Sequence, residues 1–196
     1  MDRIFHRRNL PHLYYEDGIY FITARTAGSI PLPVLKKIKI NKHFNDDSSF
    51  DKFKNHFTEY DSYLENNSTR NNYLSNQMAA SILQECLHYP DNKEYFLICY
   101  TIMSNHFHLV LELLEGNKGI SKIMQSIKGV SARRINEVLN RKGTFWQDES
   151  YDRLVRDDKE LYFVIRYTLN NPVKAGLCKK WDEWKYTYCH PQHVVI

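Results

Sequence analysis

The sequence predicts an α+β fold in which helices pack on strands that include an antiparallel hairpin. Two features carry this. First, two runs rich in branched and aromatic residues, 94–103 and 106–113, are separated only by Ser104 and Asn105. Adjacent strands with so short a connection form an antiparallel hairpin. Second, four stretches carry apolar residues at three- and four-residue spacing, the period of an amphipathic helix: 50–64, 75–88, 119–140 and 157–169.

Taken in order, residues 1–17 are basic and irregular, with Arg3, Arg7 and Arg8 near Pro11. They read as a solvated arm or as one that grips phosphates, which would place a nucleic acid without specifying it. Residues 19–26 follow Gly18 and form a strand, and residues 28–33 turn the chain. Residues 34–75 are the least defined part. Within them Phe50, Phe53, Phe57, Tyr60 and Leu64 mark one face of a packing helix, with Asp46, Asp47 or Ser49 as its cap and residues 66–68 as its end. Residues 75–88 form the next helix, with Ser75 as N-cap and a stripe of Met78, Ala79, Ile82, Leu83, Cys86 and Leu87. The hairpin follows. Residues 119–140 are helical, and Gly129 is a point of bending that costs about 1 kcal/mol relative to Ala. The polar side of this helix carries Lys122, Lys128, Arg133 and Arg134. Residues 144–156 are extended, with Trp146 as a core anchor. Asp157 and Glu160 open the last long helix as a capping-box-like pair. Residues 173–196, with Trp181, Trp184 and Tyr186, form a cover over the core.

Composition bounds the rest. A chain of 196 residues that is 42% hydrophobic, with 7 Gly and 6 Pro, is long enough for one domain with a real core. A net charge of +4 permits a nucleic-acid partner without demanding one. Fourteen Tyr and ten Phe offer surfaces for stacking on bases, although most such rings simply pack. Cys86, Cys99, Cys178 and Cys189 include no Cys-x-x-Cys pair, which is ordinary usage for a reducing compartment. Cys189, His190 and His193 match no common zinc module. There is no apolar signal region and no run long enough to span a membrane, so a cytoplasmic protein without a membrane partner is expected.

The most informative stretch is Asn105–His108. On a strand, side chains alternate, so His106 and His108 share a face while Phe107, Leu109, Leu111 and Leu113 point into the core. Two imidazoles two residues apart, with Cβ atoms about 6.5–7 Å apart, can converge on one metal ion. For an arbitrary His-x-His the blander reading, two rings facing solvent, is the more common. The pair sits beside the hairpin turn, on what should be an accessible rim. In the last helix Leu161, Val164, Ile165, Thr168 and Leu169 form the buried stripe. Tyr167 lies roughly 130° from its centre, where a packing tyrosine would not normally sit. Asn171 is four residues on, on the same flank, and Pro172 places it at the last turn or just beyond. A metal-binding pair, an off-stripe tyrosine and a neighbouring polar side chain are the parts of a metal-assisted phosphoryl transfer through a covalent phosphotyrosine.

Several stretches then form an ordered set: residues 103–110, 127–129, 143–147 (Gly-Thr-Phe-Trp-Gln) and 167–177, together with Arg7–Arg8, residues 20–23 and the helical stretch around Tyr60–Asp61. This set, covering about residues 7–188, resembles the REP-associated tyrosine transposases of the HUH single-strand, IS200-like superfamily. One departure is Ser104-Asn105, where relatives often carry Pro-Asn. The resemblance implies a ferredoxin-like central antiparallel sheet with helices packed on it. It implies one transposase domain over 1–196, with a basic arm at 1–17, a helical subgroup feature within 45–90 and a C-terminal cover at 178–196. It makes His106, His108 and Asn171 the ligands of Mg²⁺ or Mn²⁺, and Tyr167 the nucleophile. Asn171, a weak neutral ligand, would leave metal affinity low without DNA. The substrate would be single-stranded DNA with palindromic hairpins, cut to a 5′-phosphotyrosine and a free 3′-OH. Lys128, Arg133 and Arg134 would contact the DNA backbone, and Arg7 and Arg8 the hairpin foot. The protein would associate with the nucleoid when bound to DNA, as a monomer or a homodimer. The residues leave other classes open: a non-cutting hairpin-binding module, a metal-dependent nuclease using water, or a structural zinc protein.

Overall fold

The computed structural model describes residues 4–7, 11–14, 17–31, 33–34, 50–66 and 71–194. Its strands are β1 (Ile4–Arg7), β2 (Pro11–Tyr14), β3 (Ile19–Arg25), β4 (Tyr95–Ile102), β5 (His106–Leu113), β6 (Tyr151–Leu154) and β7 (Thr187–Cys189). Its helices are α1 (Phe50–Asn66), α2 (Gln77–His88), α3 (Ile120–Val138) and α4 (Asp158–Lys174). The central sheet has the order β6-β3-β5-β4-β7, and every neighbouring pair is antiparallel. Because β3–α2–β4–β5–α3–β6 fills the order β6-β3-β5-β4, the core is the split βαβ of ferredoxin-like folds.

The expected hairpin is β4–β5. Its turn is closed by the Met103 amide donating to the His106 carbonyl at 2.9 Å. Alternation along β5 divides the molecule into two layers. Phe107, Leu109, Leu111 and Leu113 pack with α2 and α3 on one face, together with Phe145, Trp146 and Tyr186. Val110 faces the other way, toward Phe21, α1 and α4. The pairing of β4 with β5 shifts between Leu97 and Cys99, so Ile98 is an extra residue in the strand. Ile98 and Cys99 thereby both join the core under α4 rather than alternating.

Of the two helices within 45–90, α2 is the crossover from β3 to β4. Helix α1 lies on the opposite face, where Phe53, Phe57 and Leu64 are fully buried. Each such side chain contributes about 1.5–3 kcal/mol of burial. Rings of α1 pack edge-on against Phe21 of β3: Phe57 at 4.8 Å and Phe53 at 6.5 Å between centroids.

Several local expectations are corrected. Within the arm, Ile4–Arg7 and Pro11–Tyr14 are not irregular, since β1 and β2 pair antiparallel. The candidate caps Asp46, Asp47 and Ser49 lie outside the described residues. Helix α2 is capped by Asn76, whose side chain accepts from the amides of Met78 and Ala79. Ser75 instead ends a short 3-10 turn, and Met78 is exposed rather than in the stripe. Gly129 does not interrupt α3, which runs on to Val138. Only Tyr151–Leu154 of the 144–156 stretch is a strand. Asn171 does lie in the last turn of α4, which runs through Pro172 to Lys174. A proline this near the C-terminus removes only one of the last helical hydrogen bonds. The C-terminal stretch does more than cover the core, because β7 extends the sheet and Trp184 Nε1 donates to the Ile102 carbonyl at 3.0 Å.

Candidate active site

Strand β5 presents His106 and His108 on the α1/α4 face, as alternation requires. They do not form an accessible rim. His106 is 2% and His108 0% exposed, because α1 and α4 close over them. Each ring is oriented from behind. Asn105 Oδ1 lies 2.7 Å from His106 Nδ1, and Asn105 Nδ2 donates to the Leu64 carbonyl at 3.3 Å. An amide oxygen only accepts, so His106 carries its proton on Nδ1 and turns a lone pair on Nε2 into the site. Thr23 Oγ1 lies 2.8 Å from His108 Nδ1, while Asn171 Nδ2 approaches His108 Nε2 at 3.2 Å. Thr23 thus holds the His108 ring by Nδ1 and turns Nε2 into the site, between Asp61 and Asn171. Metal-ligating histidines are oriented in this way.

Opposite the two rings stands a residue the sequence reading did not assign, Asp61 of α1. It is 0% exposed. Its Oδ1 lies 3.6 Å from His106 Nε2 and 3.3 Å from His108 Nε2. Its Oδ2 accepts from Asn171 Nδ2 at 3.0 Å and from the Tyr167 hydroxyl. A signal for it was present. Asp61 falls four residues after Phe57 and three before Leu64, so it is a carboxylate on the buried stripe of an amphipathic helix.

Helix α4 supplies Tyr167 and Asn171 from one flank. Tyr167 is off the sheet-facing stripe, as its angle predicts, yet it packs: Phe57 stands edge-on to its ring at 4.9 Å and His108 at 5.8 Å. The covering helix α1 gives α4 a second buried side. Asn171 is 1% exposed. It faces the site with its Nδ2, so presenting Oδ1 to an ion requires the amide to turn over.

The electrostatics are those of a buried anion among polarisable groups. Burial by itself raises the Asp61 carboxyl, but its contacts with His108, His106 and Tyr167 outweigh this and hold it below the usual carboxylate range. Burial, and then repulsion from His108, brings His106 down to about 3, so its imidazole is neutral near pH 7. Burial, reinforced by the Asp61 charge and its hydrogen bond, pushes the Tyr167 phenol well above its ordinary value. Of the six buried side-chain polar atoms without a hydrogen-bond partner among the described residues, three belong to this site: Asp61 Oδ1, His106 Nε2 and Asn171 Oδ1. Buried polar groups are rarely left so. Ligand atoms of Asp61, His106 and His108 all lie within 4.8 Å of one another. Two imidazole lone pairs and a carboxylate so arranged fit a divalent cation. Among the described residues, Cys189, His190 and His193 form no such group.

The cationic residues singled out from the sequence lie elsewhere. Lys128 and Arg134 are on α3, across the sheet from the histidines. Lys128 Nζ donates to the carbonyls of Gln147 at 2.7 Å and Asp148 at 2.6 Å, and burial lowers it to about 8. Arg134 pairs with Glu85 at 2.6 Å, and Arg133 is exposed on the same helix. The backbone of Arg7 is in β1, and Arg8 lies outside the described residues.

Comparison with known proteins places the chain in a family. A protein of Haemophilus influenzae, provisionally assigned as a REP-associated tyrosine transposase, is 29% identical over 124 residues, which are 59% of this chain and 68% of that protein. The REP-associated tyrosine transposase of Escherichia coli is 24% identical over 91 residues, 46% of this chain and 52% of its own length. A solved structure of a REP-associated tyrosine transposase bound to a REP hairpin superposes with a TM-score of 0.56 at 17% identity, covering 93% of this chain and 80% of that one. That likeness shows a shared fold. The family described as Transposase IS200 like matches residues 66–171, more than half of the sequence, and the chain therefore belongs to the IS200-like transposases.

Proposed function

We propose that this protein is a metal-dependent single-strand DNA endonuclease and strand transferase that acts on hairpin-bearing DNA through Tyr167. One observation carries the reading: the unpartnered atoms of Asp61, His106 and Asn171 converge with His108 beside the hydroxyl of a half-buried tyrosine. Asp61, His106 and His108 would hold Mg²⁺ or Mn²⁺, with Asn171 able to join after its amide turns over. The chemistry such an ion would supply there is Lewis-acid polarisation of a scissile phosphate oxygen, and its charge would offset the Asp61 charge that adds to burial in keeping the Tyr167 phenol protonated.

The chain's own groups do the rest. Tyr167 Oη forms the new bond to phosphorus, the P–O3′ bond breaks, and the products are a 5′-phosphotyrosine and a free 3′-OH. The phenolic proton passes to solvent at the groove side of the half-buried Tyr167, and the departing 3′ oxygen takes a proton from solvent. Asn105 and Thr23 hold the two imidazoles by Nδ1 and turn Nε2 into the site. Helix α1 excludes water from the cluster. The hairpin partner rests on the two REP-associated relatives and on the hairpin-bound structure.

The test is covalent capture. The protein is mixed with hairpin oligonucleotides from the DNA flanking its own gene, with Mn²⁺ or EDTA, and run on a denaturing gel. A metal-dependent shifted band that disappears in Tyr167→Phe is the expected result. Cutting without an adduct would transfer the chemistry to water. Binding without cutting would favour a hairpin-binding module.

A further inference from the structure

Helices α1 and α4 line an open groove of about 430 Å³ whose walls include Tyr167 and Asn171. Four of the side chains lining it are cationic, Lys54, Lys159, Arg166 and Lys174, and none is acidic. Among these, Lys174 pairs with Glu65 at 2.8 Å on the rim. Between the cations stand rings. Phe50 and Phe163 meet edge-on at 5.3 Å, and Tyr162 is 48% exposed. Lys54 Nζ sits 5.6 Å from the Phe163 centroid and Lys159 Nζ 5.4 Å from that of Phe50.

The arrangement follows from spacing on α4. Positions 159, 163, 166, 170 and 174 recur every three or four residues, with 162 beside them, so cations and rings share one flank with Tyr167. No fold requirement explains collecting four like charges there, since like charges repel. A polyanion with flat, apolar bases matches both parts: phosphates for the ammonium and guanidinium groups, base faces for the rings. Paired bases cannot offer those faces, so the occupant is unpaired.

We propose that the α1/α4 groove is the track along which the unpaired strand of the DNA substrate reaches Tyr167. The proposal rests on the strand-transfer reading above and names where its substrate lies. It can fail separately from that reading.

The probe is a fluorescently labelled oligothymidylate in EDTA, with anisotropy read over a salt series. The variant is Lys54→Ala/Arg166→Ala, two exposed positions outside the metal cluster. Each phosphate contact on a single strand contributes about 0.7 to the slope of log affinity against log salt. Losing two lowers the slope by about 1.4, or about 25-fold in affinity at 0.1 M salt relative to 1 M. A blunt hairpin without unpaired flanks serves as the control and should bind the variant as it binds the wild type. Wild-type affinity and slope in the double variant would overturn the track. So would an equal loss on the blunt hairpin, which would indicate general charge attraction, or failure of the wild type to bind the oligothymidylate. Adduct formation with Mn²⁺ is read in parallel. A groove-dependent affinity without any Tyr167 adduct would support the track while overturning the nuclease.

Discussion

Replacing Asp61 with Asn keeps the side-chain shape and removes the only anion in the cluster. In the wild type, Asp61 Oδ1 stands 3.3 Å from His108 Nε2 and 3.6 Å from His106 Nε2, with no hydrogen-bond donor of its own. Removing even an outer partner of a metal ligand costs about 10–100-fold in affinity, so losing the anionic ligand is set at about 100-fold. At Mn²⁺ about 100 times the wild-type Kd, the ion stabilises the wild type by about 2.7 kcal/mol. Asp61→Asn, then near its own Kd, gains RT ln 2, about 0.4 kcal/mol. The gap of about 2.3 kcal/mol corresponds to a Tm difference of about 5–9 °C for a chain of this size. The assay is thermal unfolding of both proteins with and without Mn²⁺. Each is compared with its own metal-free form, so any change in basal stability cancels. An equal Mn²⁺-induced rise in both would refute Asp61 as a ligand. A rise that survives His106→Gln/His108→Gln would refute the site as a whole.

Two further outcomes follow from buried charge. Without metal, His106 titrates near 3 in the fold against about 6.5 when unfolded, so between these values the unfolded chain binds a proton that the fold does not. Stability therefore falls as pH drops below about 6.5, by no more than about 1.4 kcal/mol per unit from this group, and the Asp61 carboxyl adds a loss of the same sign below about 4. Tm measured from pH 8 to 5 should slope less in His106→Gln, and an unchanged slope would remove His106 as the cause. Arg153 and Glu160, 8% and 2% exposed, form a buried ion pair that ties β6 to the first turn of α4. Glu160→Ala should cost about 3–5 kcal/mol in urea unfolding, because it strands the guanidinium. Arg153→Met/Glu160→Leu should cost much less, and equal costs would show that the charge is solvated.

Much of the architecture was legible because it is written in period. Alternation along 106–113 sorted Phe107, Leu109 and Leu111 from His106 and His108, and the two-residue connection at Ser104 and Asn105 specified the hairpin. The angle of Tyr167 on its helix separated it from Leu161, Val164 and Leu169. Boundaries were less legible where short-range chemistry competes. Ser75 and Asn76 are both good caps, and the fold uses the second, whose side chain accepts from the amides of Met78 and Ala79. Pro172 marks the last turn of α4 rather than its final residue, because a helix held along most of its length by Val164, Ile165 and Leu169 tolerates a proline near its end.

The sequence by itself determined which residues share a face: local geometry fixes whether neighbours two, three or four apart point together. That sufficed for the histidine pair and for Tyr167 with Asn171, whereas Asp61 was singled out only once α1 was seen to face the histidines. Only the tertiary structure decided which faces meet. Asp61 and Asn171 are 110 residues apart and Thr23 and His108 are 85, yet each pair is in hydrogen-bond contact. Their partnership depends on α1 crossing the α4 side of the sheet, and periodicity within one segment carries no record of the segment it packs against. The same crossing buries the histidines and lines an open basic groove beside Tyr167, because a helix laid across two elements covers one surface and makes another.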